Sequence, residues 1–374
     1  MTLFLLATIF NVFSNTEIHF MNPRSIPAKQ VSKIEQYQLL PKSEAAREAG
    51  QTGHIDPTCV DRLLENKKAI IADASLKEFP TAFRILLHPP KTDKYITKKI
   101  KRQGSYESDM EDFISLALPL NASNVEDCKM PNTGRSGRPF SVDIGANVGF
   151  HSLHMARRGA SVISFEPAPD TAELFKCSAE LLGNDRIGES GTNVENSNTL
   201  LGSIKVIQGG ASDVDSQGKM SRHPDSPGMT TFATNSTFPM EELKNEGASK
   251  AGMISLFRSE DILIAQGVPE GRSECLRLLK VDTEGYELRA LKGLNLTRFP
   301  FQYLTFEFFP EMLEASGAEP VDLIFLVRNA GYECDCDKYS GRTRDEIYAW
   351  SKRIQSHVNV FCRLPEKNNM KLKQ

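Results

Sequence analysis

Hydrophobic and polar positions follow two different periods along the middle and the end of the chain. Five short runs rich in Val, Ile, Leu and Phe are typical of buried strands, and they occupy 141–145, 161–167, 204–210, 276–282 and 301–308. Stretches with apolar residues at helical spacing follow most of these runs, and they predict helices ending near 156 and covering 171–183, 288–291 and 321–330. Strands that alternate with amphipathic helices indicate parallel βαβ units, so an α/β fold is expected.

Two further strand candidates lie near the end of the chain, at 332–337 and 357–364. No helix is predicted between them, and two late strands without an intervening helix suit an antiparallel hairpin at the edge of a sheet. Together with the five earlier strands they predict a doubly wound, seven-stranded, Rossmann-like sheet that is mostly parallel.

The same pattern divides the chain into segments. Residues 69–365 are predicted to form one domain, whose early part at 104–118 has apolar residues at helical spacing that should pack on the core. The stretch 184–260 is rich in Asn, Ser, Gly and Pro, so a long insertion of low order is expected there. Residues 14–68 are interpreted as a partly disordered linker, and 366–374 as a polar tail.

Residues 1–13 form a signal-like or anchor-like segment, apolar and uncharged from Thr2 to Phe13. This run is shorter than the roughly 20 residues that a membrane span needs, but it has the length of a signal-peptide core. A cleaved signal, a short anchor and a buried helix all stay open. Sequons at Asn121, Asn235 and Asn295 are compatible with a lumenal protein. The expected location is the secretory pathway (ER or Golgi lumen) or a membrane surface reached weakly through the N-terminus, with the cytoplasm as the alternative.

Composition and charge narrow the classes of partner. The chain is 40% hydrophobic and 25% charged with a formal net charge of -3, which is ordinary for a globular protein and gives no reason to expect a nucleic acid partner. The basic run Lys98 to Arg102 is interpreted as a solvated edge. The seven cysteines are spread thinly without a CxxC pair, so neither a zinc site nor a dense disulfide framework is predicted, and no metal is expected.

A glycine loop, VDIGANVGF at 142–150, follows the first strand of the core and opens a helix. Gly145 permits the tight turn, Gly149 lets the helix pack closely, and the amides at the helix start form a site for an anionic group. Glu166 ends the next strand about twenty residues later, where a carboxylate can accept hydrogen bonds from both hydroxyls of an adenosine ribose. This context predicts a nucleotide-like cofactor.

The details of the loop favour one cofactor. Asn147 stands where a dinucleotide fingerprint would place its second glycine, so the close approach of a pyrophosphate is disfavoured. Asp143, at the end of the strand, is expected to face an ammonium group directly or through water. Both features suit S-adenosyl-L-methionine, whose methionine end is zwitterionic. They make an NAD-dependent oxidoreductase the weaker alternative.

The loop is one of several motifs that occur in a characteristic order: VDIGANVGF, then FEP at 165–167, KVDTEGYE at 280–287 and FEFFPEM at 306–312. Over roughly residues 100–330 the chain resembles the FkbM-type methyltransferases, with Thr283 a mild departure because a small aliphatic residue is commoner there. The resemblance implies an S-adenosylmethionine-dependent methyltransferase that O-methylates a hydroxyl of a sugar, glycan, lipid or secondary metabolite. The expected partner is therefore a small-molecule or glycan acceptor.

Three carboxylates come at the carboxyl ends of the late strands, which is the edge where such sheets bind ligands. Asp282 is expected near the transferred methyl group, where it helps to hold the cofactor or the acceptor. Glu284 projects from the following loop and is the first candidate for the general base, with Glu307 second. The alternative is that Glu284 caps the next helix and Glu307 pairs with a buried cation such as Lys280. A non-catalytic docking domain would have lost these residues or the glycine loop, and both are present.

Three other residues near the motifs have open roles. His151 and His154 are interpreted as helix residues, exposed or packed, rather than as ligands. Tyr286 is expected either to line an acceptor pocket or to pack on the sheet.

Overall fold

A computed structural model describes residues 59–79, 81–120, 128, 137–184, 202–223, 226–233, 250–338 and 340–365. The predictions for residues 1–13, for most of the 14–68 linker, for the 366–374 tail and for the sequons at Asn121 and Asn235 lie outside these residues. Within them, no helix combines the length and the apolar character needed to cross a membrane.

The first described part of the chain packs on the core as an additional layer. Its elements are α1 (Cys59–Glu65), β1 (Ile70–Ala74), β2 (Phe83–Leu87), α2 (Ile96–Gln103) and α3 (Ser108–Ala117). The two strands pair antiparallel. Phe83 and Ile85 of this hairpin share an apolar cluster with Leu153 and Phe175, which belong to the helices of the core. Burial of these side chains ties the layer to the sheet.

Except over 203–258, where five described strands follow one another, strands and helices alternate through most of the remaining chain, as predicted. They are β3 (Phe140–Ile144), α4 (Phe150–Arg157), β4 (Ser161–Glu166), α5 (Pro169–Asn184), β5 (Ser203–Gln208), β6 (Gly210–Ser212), β7 (Ser216–His223), β8 (Ser226–Ala233), β9 (Lys250–Arg258), α6 (Ser259–Ala265), β10 (Leu276–Val281), α7 (Glu287–Lys292), β11 (Tyr303–Phe308), α8 (Pro310–Ala315), α9 (Pro320–Asn329), β12 (Glu333–Cys334), α10 (Arg344–Ser351) and β13 (Val358–Arg363). A seven-stranded sheet has the order β12-β13-β11-β10-β3-β4-β5. Neighbours from β5 to β11 are parallel, and β13 runs antiparallel between β11 and β12. The predicted Rossmann-like sheet is confirmed.

Apolar side chains cover both faces of this sheet. Leu279 and Val281 of β10 lie in one core cluster, and Leu278, just before them, lies in the other. Successive side chains of a strand point to opposite faces, so a strand buried on both sides is apolar at most of its positions. This is why the central strands appear in the sequence as continuous hydrophobic runs.

The range 184–260 contains more regular structure than the low-order insertion that the sequence predicts. Besides β5, its described residues form a four-stranded sheet in the order β6-β9-β7-β8. Three of its apolar side chains, Met220, Ile254 and Leu256, pack with Ala168 and Tyr286, whereas Ala211 and Phe257 pack in a larger core cluster. A sheet that buries so few apolar positions, among many Ser, Gly and Thr residues, carries a weak hydrophobic pattern, and this is why the sequence does not reveal it.

The end of the chain differs from the simple hairpin that the sequence predicts. β12 covers only two residues and passes into a 3₁₀-helix at Asp335–Lys338, and α10 lies between β12 and β13. The side chain of Thr343 accepts a hydrogen bond from the Glu346 amide, and the Glu346 carboxylate accepts one from the Thr343 amide. This capping box starts α10, and its Thr-x-x-Glu spacing is the signal that would have predicted the helix.

Cysteine pairing is the clearest disagreement with the sequence prediction. Disulfides join Cys59 to Cys177, Cys128 to Cys275 and Cys334 to Cys362. Among the described cysteines, Cys336 is a buried free thiol. The paired residues are 118, 147 and 28 positions apart in the chain, so local spacing carries no sign of the pairing.

Candidate active site

The carboxyl ends of β3, β4, β10 and β11 meet around a cavity of about 390 Å³. Its walls contain most of the predicted site residues, namely Gly145, Asn147, Glu166, Asp282, Glu284 and Glu307. Parallel strands leave a crevice at this edge because their connections run to opposite faces of the sheet. The predicted loop and the predicted carboxylates therefore lie in one site.

The backbone of the glycine loop makes a turn that side chains would block. Gly145 has a φ of 82°, and a Cβ atom there would lie 1.6 Å from the carbonyl oxygen of Asp282. Gly149 has a φ of 86°, and its Cβ would lie 2.0 Å from the ring of Phe175. Asn147 adopts a φ of 52°, which asparagine tolerates better than most residues. Gly149 thus allows α4 to approach α5, where the sequence had suggested contact with the strand.

Glu166 is fixed in the wall of the cavity by two backbone amides. The amide of Asn147 donates to its Oε2 at 2.8 Å, and the amide of Ala168 donates to its Oε1 at 2.8 Å. A carboxylate oxygen has two lone pairs, so each oxygen retains capacity to accept a hydroxyl of a ligand. The side chain is oriented before any ligand binds.

Asp143 makes a different contact from the one expected. The Lys280 Nζ lies 3.3 Å from its Oδ1, and the Ser152 hydroxyl donates to its Oδ2 at 2.6 Å. Within the described residues, the cavity is lined by Lys280 and Asp282 but not by Asp143. The ammonium group that Asp143 faces is that of Lys280, so an internal ion pair replaces the expected contact with a cofactor.

Lys280 is a buried cation that joins two acids. Its Nζ lies 3.1 Å from the Asp282 Oδ2 as well as close to Asp143. Burial alone would lower the pKa of Lys280, but the charges of Asp143 and Asp282 outweigh it and raise this pKa above its usual range. Lys280 is therefore charged at neutral pH, and it forms ion pairs with these two acids. Glu307 does not pair with it as the alternative reading of the sequence proposed.

Glu284 and Glu307 are two acids that crowd each other near Asp282. Burial, followed by the charges of Asp282 and Glu287, raises the pKa of Glu284 to about 8. Burial and the charges of Asp282 and Glu284 raise the pKa of Glu307 to about 11. The His357 ring lies beside Glu307, with its Nδ1 3.8 Å from the Glu307 Oε1. At neutral pH both carboxyl groups retain a proton for most of the time.

The start of α7 is held by Glu287 rather than by Glu284. The Glu287 Oε1 accepts hydrogen bonds from the amides of Thr283 and Gly285 and from the Thr283 hydroxyl. The capping role that the sequence left open for Glu284 is thus filled three residues later. Glu284, with a φ of 53°, points its carboxyl group into the cavity region instead.

The three carboxylates also have the spacing of a cation site. One oxygen each from Asp282, Glu284 and Glu307 lies within 4.8 Å of the others, and among the described residues this is the group that offers three such atoms. An all-oxygen set of this kind suits a hard cation such as Mg²⁺ or Mn²⁺. The sequence motifs did not indicate a metal here, since two of these residues come from one motif and the third from another strand.

The cavity contains further residues that the sequence did not single out. The Glu107 Oε2 lies 2.9 Å from the His151 Nε2, and both side chains line the cavity with Tyr106. Burial would raise the pKa of Glu107, but the hydrogen bond and charge of His151, together with Lys280, lower it to about 2. The available signal was the segment GSYESDMEDF, which the sequence predicted to pack on the core.

The remaining open roles are decided by packing. His154 is buried and accepts a hydrogen bond from the Arg158 Nε at 3.0 Å, so it is a packed helix residue, as expected. His151 is buried as well, but it lines the cavity. Tyr286 packs with Met220 and Leu256 rather than lining the cavity.

The doubly wound sheet is Rossmann-like, and its glycine loop, the acid at the end of the next strand and the cavity beyond the strand ends lie where such folds bind ligands. The chain belongs to the FkbM methyltransferase family, because the family model described as the methyltransferase FkbM domain matches residues 143–334. It is therefore a methyltransferase.

Two relatives are also named as methyltransferases. The chain is 29% identical over 216 residues to Methyltransferase sdnD of Sordaria araneosa, covering 54% of this chain and 76% of that protein. It is 27% identical over 211 residues to Hexuronic acid methyltransferase AglP of Haloferax volcanii, covering 56% and 69%. A solved structure, a SAM-dependent methyltransferase from Agrobacterium tumefaciens, aligns with a TM-score of 0.31 at 12% identity over 83% of this chain and 80% of that one.

Proposed function

We propose that this methyltransferase takes its methyl group from S-adenosyl-L-methionine and transfers it to a hydroxyl oxygen of a sugar, glycan, lipid or secondary metabolite. The observation that carries the proposal is that the glycine loop, Glu166 and the three carboxylates line one cavity. The loop side suits an adenosine and an amino-acid carboxylate, and the carboxylate side suits a positive charge. One ligand with both features is adenosylmethionine.

The residues in the cavity fit this cofactor. The bare backbone at Gly145 allows close approach, and Glu166 presents two oriented oxygens for ribose hydroxyls. Asp282, Glu284 and Glu307 line the opposite wall, and a carboxyl group that is ionised there attracts a cation. When bound, adenosylmethionine supplies a methyl group from a positively charged sulfur, which keeps the electron pair of the broken carbon–sulfur bond and leaves as a neutral thioether.

The protein's own side chains deal with the acceptor. The acceptor's hydroxyl oxygen forms the new bond to carbon, and Glu284 receives the hydroxyl proton, with Glu307 as the second candidate. A pKa of about 8 for Glu284 makes it a stronger base than an ordinary glutamate while leaving part of it ionised near neutrality. Asp282, held by Lys280, supplies a fixed negative charge beside the reaction.

The acceptor class is supported by one relative. AglP is named as a hexuronic acid methyltransferase, and this chain aligns with 69% of its length. A sugar hydroxyl is therefore the first acceptor to test, ahead of a lipid or another metabolite.

Calorimetric titration of the full chain with S-adenosylhomocysteine, with NAD as a parallel ligand, tests the cofactor. We expect micromolar binding of S-adenosylhomocysteine and a loss of at least about a hundredfold in affinity in Glu166→Ala, because two hydrogen bonds to a charged acceptor disappear, each worth about 1.5–3 kcal/mol. Glu260→Ala is the matched control, since Glu260 is as buried as Glu166 (6% and 5% exposed) but lies outside the cavity. Binding of NAD alone would overturn the methyltransferase cofactor, and binding of neither ligand by a folded protein would favour a docking domain.

The proposal extends to the compartment. Three cysteine pairs within disulfide distance among the described residues favour an oxidising compartment, the secretory pathway, over the cytoplasm. We expect protein isolated from its native cells, denatured without reductant and treated with an alkylating agent, to react at Cys336 alone, as seen by mass spectrometry. Alkylation of all seven cysteines would contradict the secretory location.

A further inference from the structure

A second concave surface continues from the cavity and has the opposite charge. We define the basic groove as the concave space of about 820 Å³ beside α2 and the start of β13. Its cations are Lys94, Lys98, Lys99 and Arg102. We propose that the acceptor carries an anionic group, a carboxylate or a phosphate, and that the basic groove binds this group. The inference rests on the proposed function, since it concerns where the non-reacting part of the methyl acceptor binds.

The basic groove and the cavity are continuous. Tyr95, Tyr106, Glu107 and His357 line both. A molecule whose hydroxyl lies beside Glu284 would therefore extend past this shared rim into the basic groove. The charge along this path changes from the acidic wall of the cavity to the cations of α2.

Two cations of α2 lie close together. Lys98 and Arg102 are four residues apart, so their side chains share one face of the helix, and like charges at this spacing destabilise a helix by a few tenths of a kcal/mol. The Asp93 carboxylate accepts hydrogen bonds from two backbone amides in the first turn and caps the start of the helix, so the repulsion between Lys98 and Arg102 is what a bound anion would relieve. The apolar side chains Ile96 and Ile100 are buried and hold this face outward.

Among the described residues, no salt bridge joins the two acids of the basic groove to its three cations on α2, although the charge of Lys99 acts on Glu107. Glu107 is hydrogen-bonded to His151 at 2.9 Å, and Asp109 accepts a hydrogen bond from the Asn359 side chain at 3.2 Å. Lys99 lies over the ring of Tyr106, with its Nζ 5.0 Å from the ring centre, which directs its charge toward the rim shared with the cavity. A positive charge remains on the side where an acceptor would enter.

The chemistry of these groups identifies the ligand class. A guanidinium forms paired hydrogen bonds with carboxylate or phosphate, and lysine ammonium groups add charge without strict geometry. A uronic acid and a sugar phosphate both combine a hydroxyl with such an anion. The two sources share the chemistry that the basic groove recognises, and separate probes distinguish them.

The test is a calorimetric titration of the full chain, saturated with S-adenosylhomocysteine, with glucuronic acid, glucose 6-phosphate and glucose. We expect at least one anionic sugar to bind more tightly than glucose, and to bind more weakly as ionic strength rises. Lys99→Met keeps the aliphatic stem and should weaken binding of the anion about three- to fivefold, and Lys98→Met combined with Arg102→Met should weaken it about tenfold. Glucose binding should not change in these variants.

Lys101→Met is the matched control. Lys101 lies two residues from Lys99, about 200° around the helix, and it does not line the basic groove. The Lys101→Met variant should bind the anion as tightly as the unmodified chain does. Lys99→Arg should keep most of the affinity that Lys99→Met loses. Equal binding of glucose and both anions, or unchanged binding of the anion in the groove variants, would overturn the proposal. If the chain did not bind S-adenosylhomocysteine, the result would instead count against the proposed function.

Discussion

Replacing Asp282 with alanine is expected to lower kcat by at least about a hundredfold, the size of effect seen when a preorganised charge is removed from an active site. Asp282 ends β10, lines the cavity and pairs with the Lys280 Nζ at 3.1 Å. Its loss removes a negative charge and leaves the buried Lys280 with one acid, so a positive charge is exposed to a positively charged methyl donor. Turnover is measured as methyl transfer to an acceptor found by screening hydroxylated sugars.

Asp213→Ala is the control for the loss of a partly exposed aspartate. Its side chain is 31% exposed, as is that of Asp282, and it pairs with Arg289 outside the cavity. Asp282→Ala should keep its circular dichroism spectrum and bind S-adenosylhomocysteine, which lacks the positive charge on sulfur, nearly as well as the unmodified chain. Turnover within a few fold of normal would remove the assigned role of Asp282.

Activity should rise about tenfold between pH 7 and pH 9 if Glu284 is the general base. A base must be ionised to accept a proton, and a pKa of about 8 leaves roughly a tenth of Glu284 ionised at pH 7 and most of it at pH 9. Glu284→Gln should lower kcat by about a hundredfold or more and abolish this rise. The profile is recorded in EDTA, and again with added Mg²⁺, to separate proton transfer from an effect of a bound cation.

Two further measurements make the assignment of the base specific. In Glu307→Gln, activity should still rise with pH if Glu284 is the base. If the rise were lost in Glu307→Gln and kept in Glu284→Gln, Glu307 would be the base instead. Thermal unfolding shows whether Glu284→Gln has merely damaged the fold. The pKa of Glu284 in the folded protein lies above its ordinary value of 4.5, so its contribution to stability is present below about pH 4.5 and is lost as the pH rises through about 8. Glu284→Gln should therefore melt no lower than the unmodified chain at pH 8.

The local sequence pattern was sufficient to predict the architecture and many of the residues in the site. Buried parallel strands are apolar at most of their positions, and this made β3, β4, β10 and β11 visible as hydrophobic runs. Because ligands bind at the carboxyl ends of such strands, the ends of the same runs pointed to Glu166, Asp282 and Glu307. The glycines were recognisable since their positive φ angles and close contacts exclude other residues.

Contacts between distant segments could not be predicted in this way. Asp143 and Lys280 are partners in the register of β3 and β10, and only that pairing turns the acid toward a lysine. Glu107 reaches His151 across 44 positions of the chain. The cysteine pairs span up to 147 positions. Contacts between residues so far apart leave no local periodicity in the sequence from which they could be predicted.

The sequence by itself determined the alternation of strands and helices, the family and the residue types at the strand ends, because these depend on local periodicity and on short motifs. Only the tertiary structure decided which charges meet. It paired Lys280 with Asp143 and Asp282, and it left Glu284 and Glu307 crowded with raised pKa values. It also set the basic groove beside the acidic cavity. The physical reason is that the energy of a charge depends on its burial and on neighbours a few ångströms away, and folding alone brings those neighbours together.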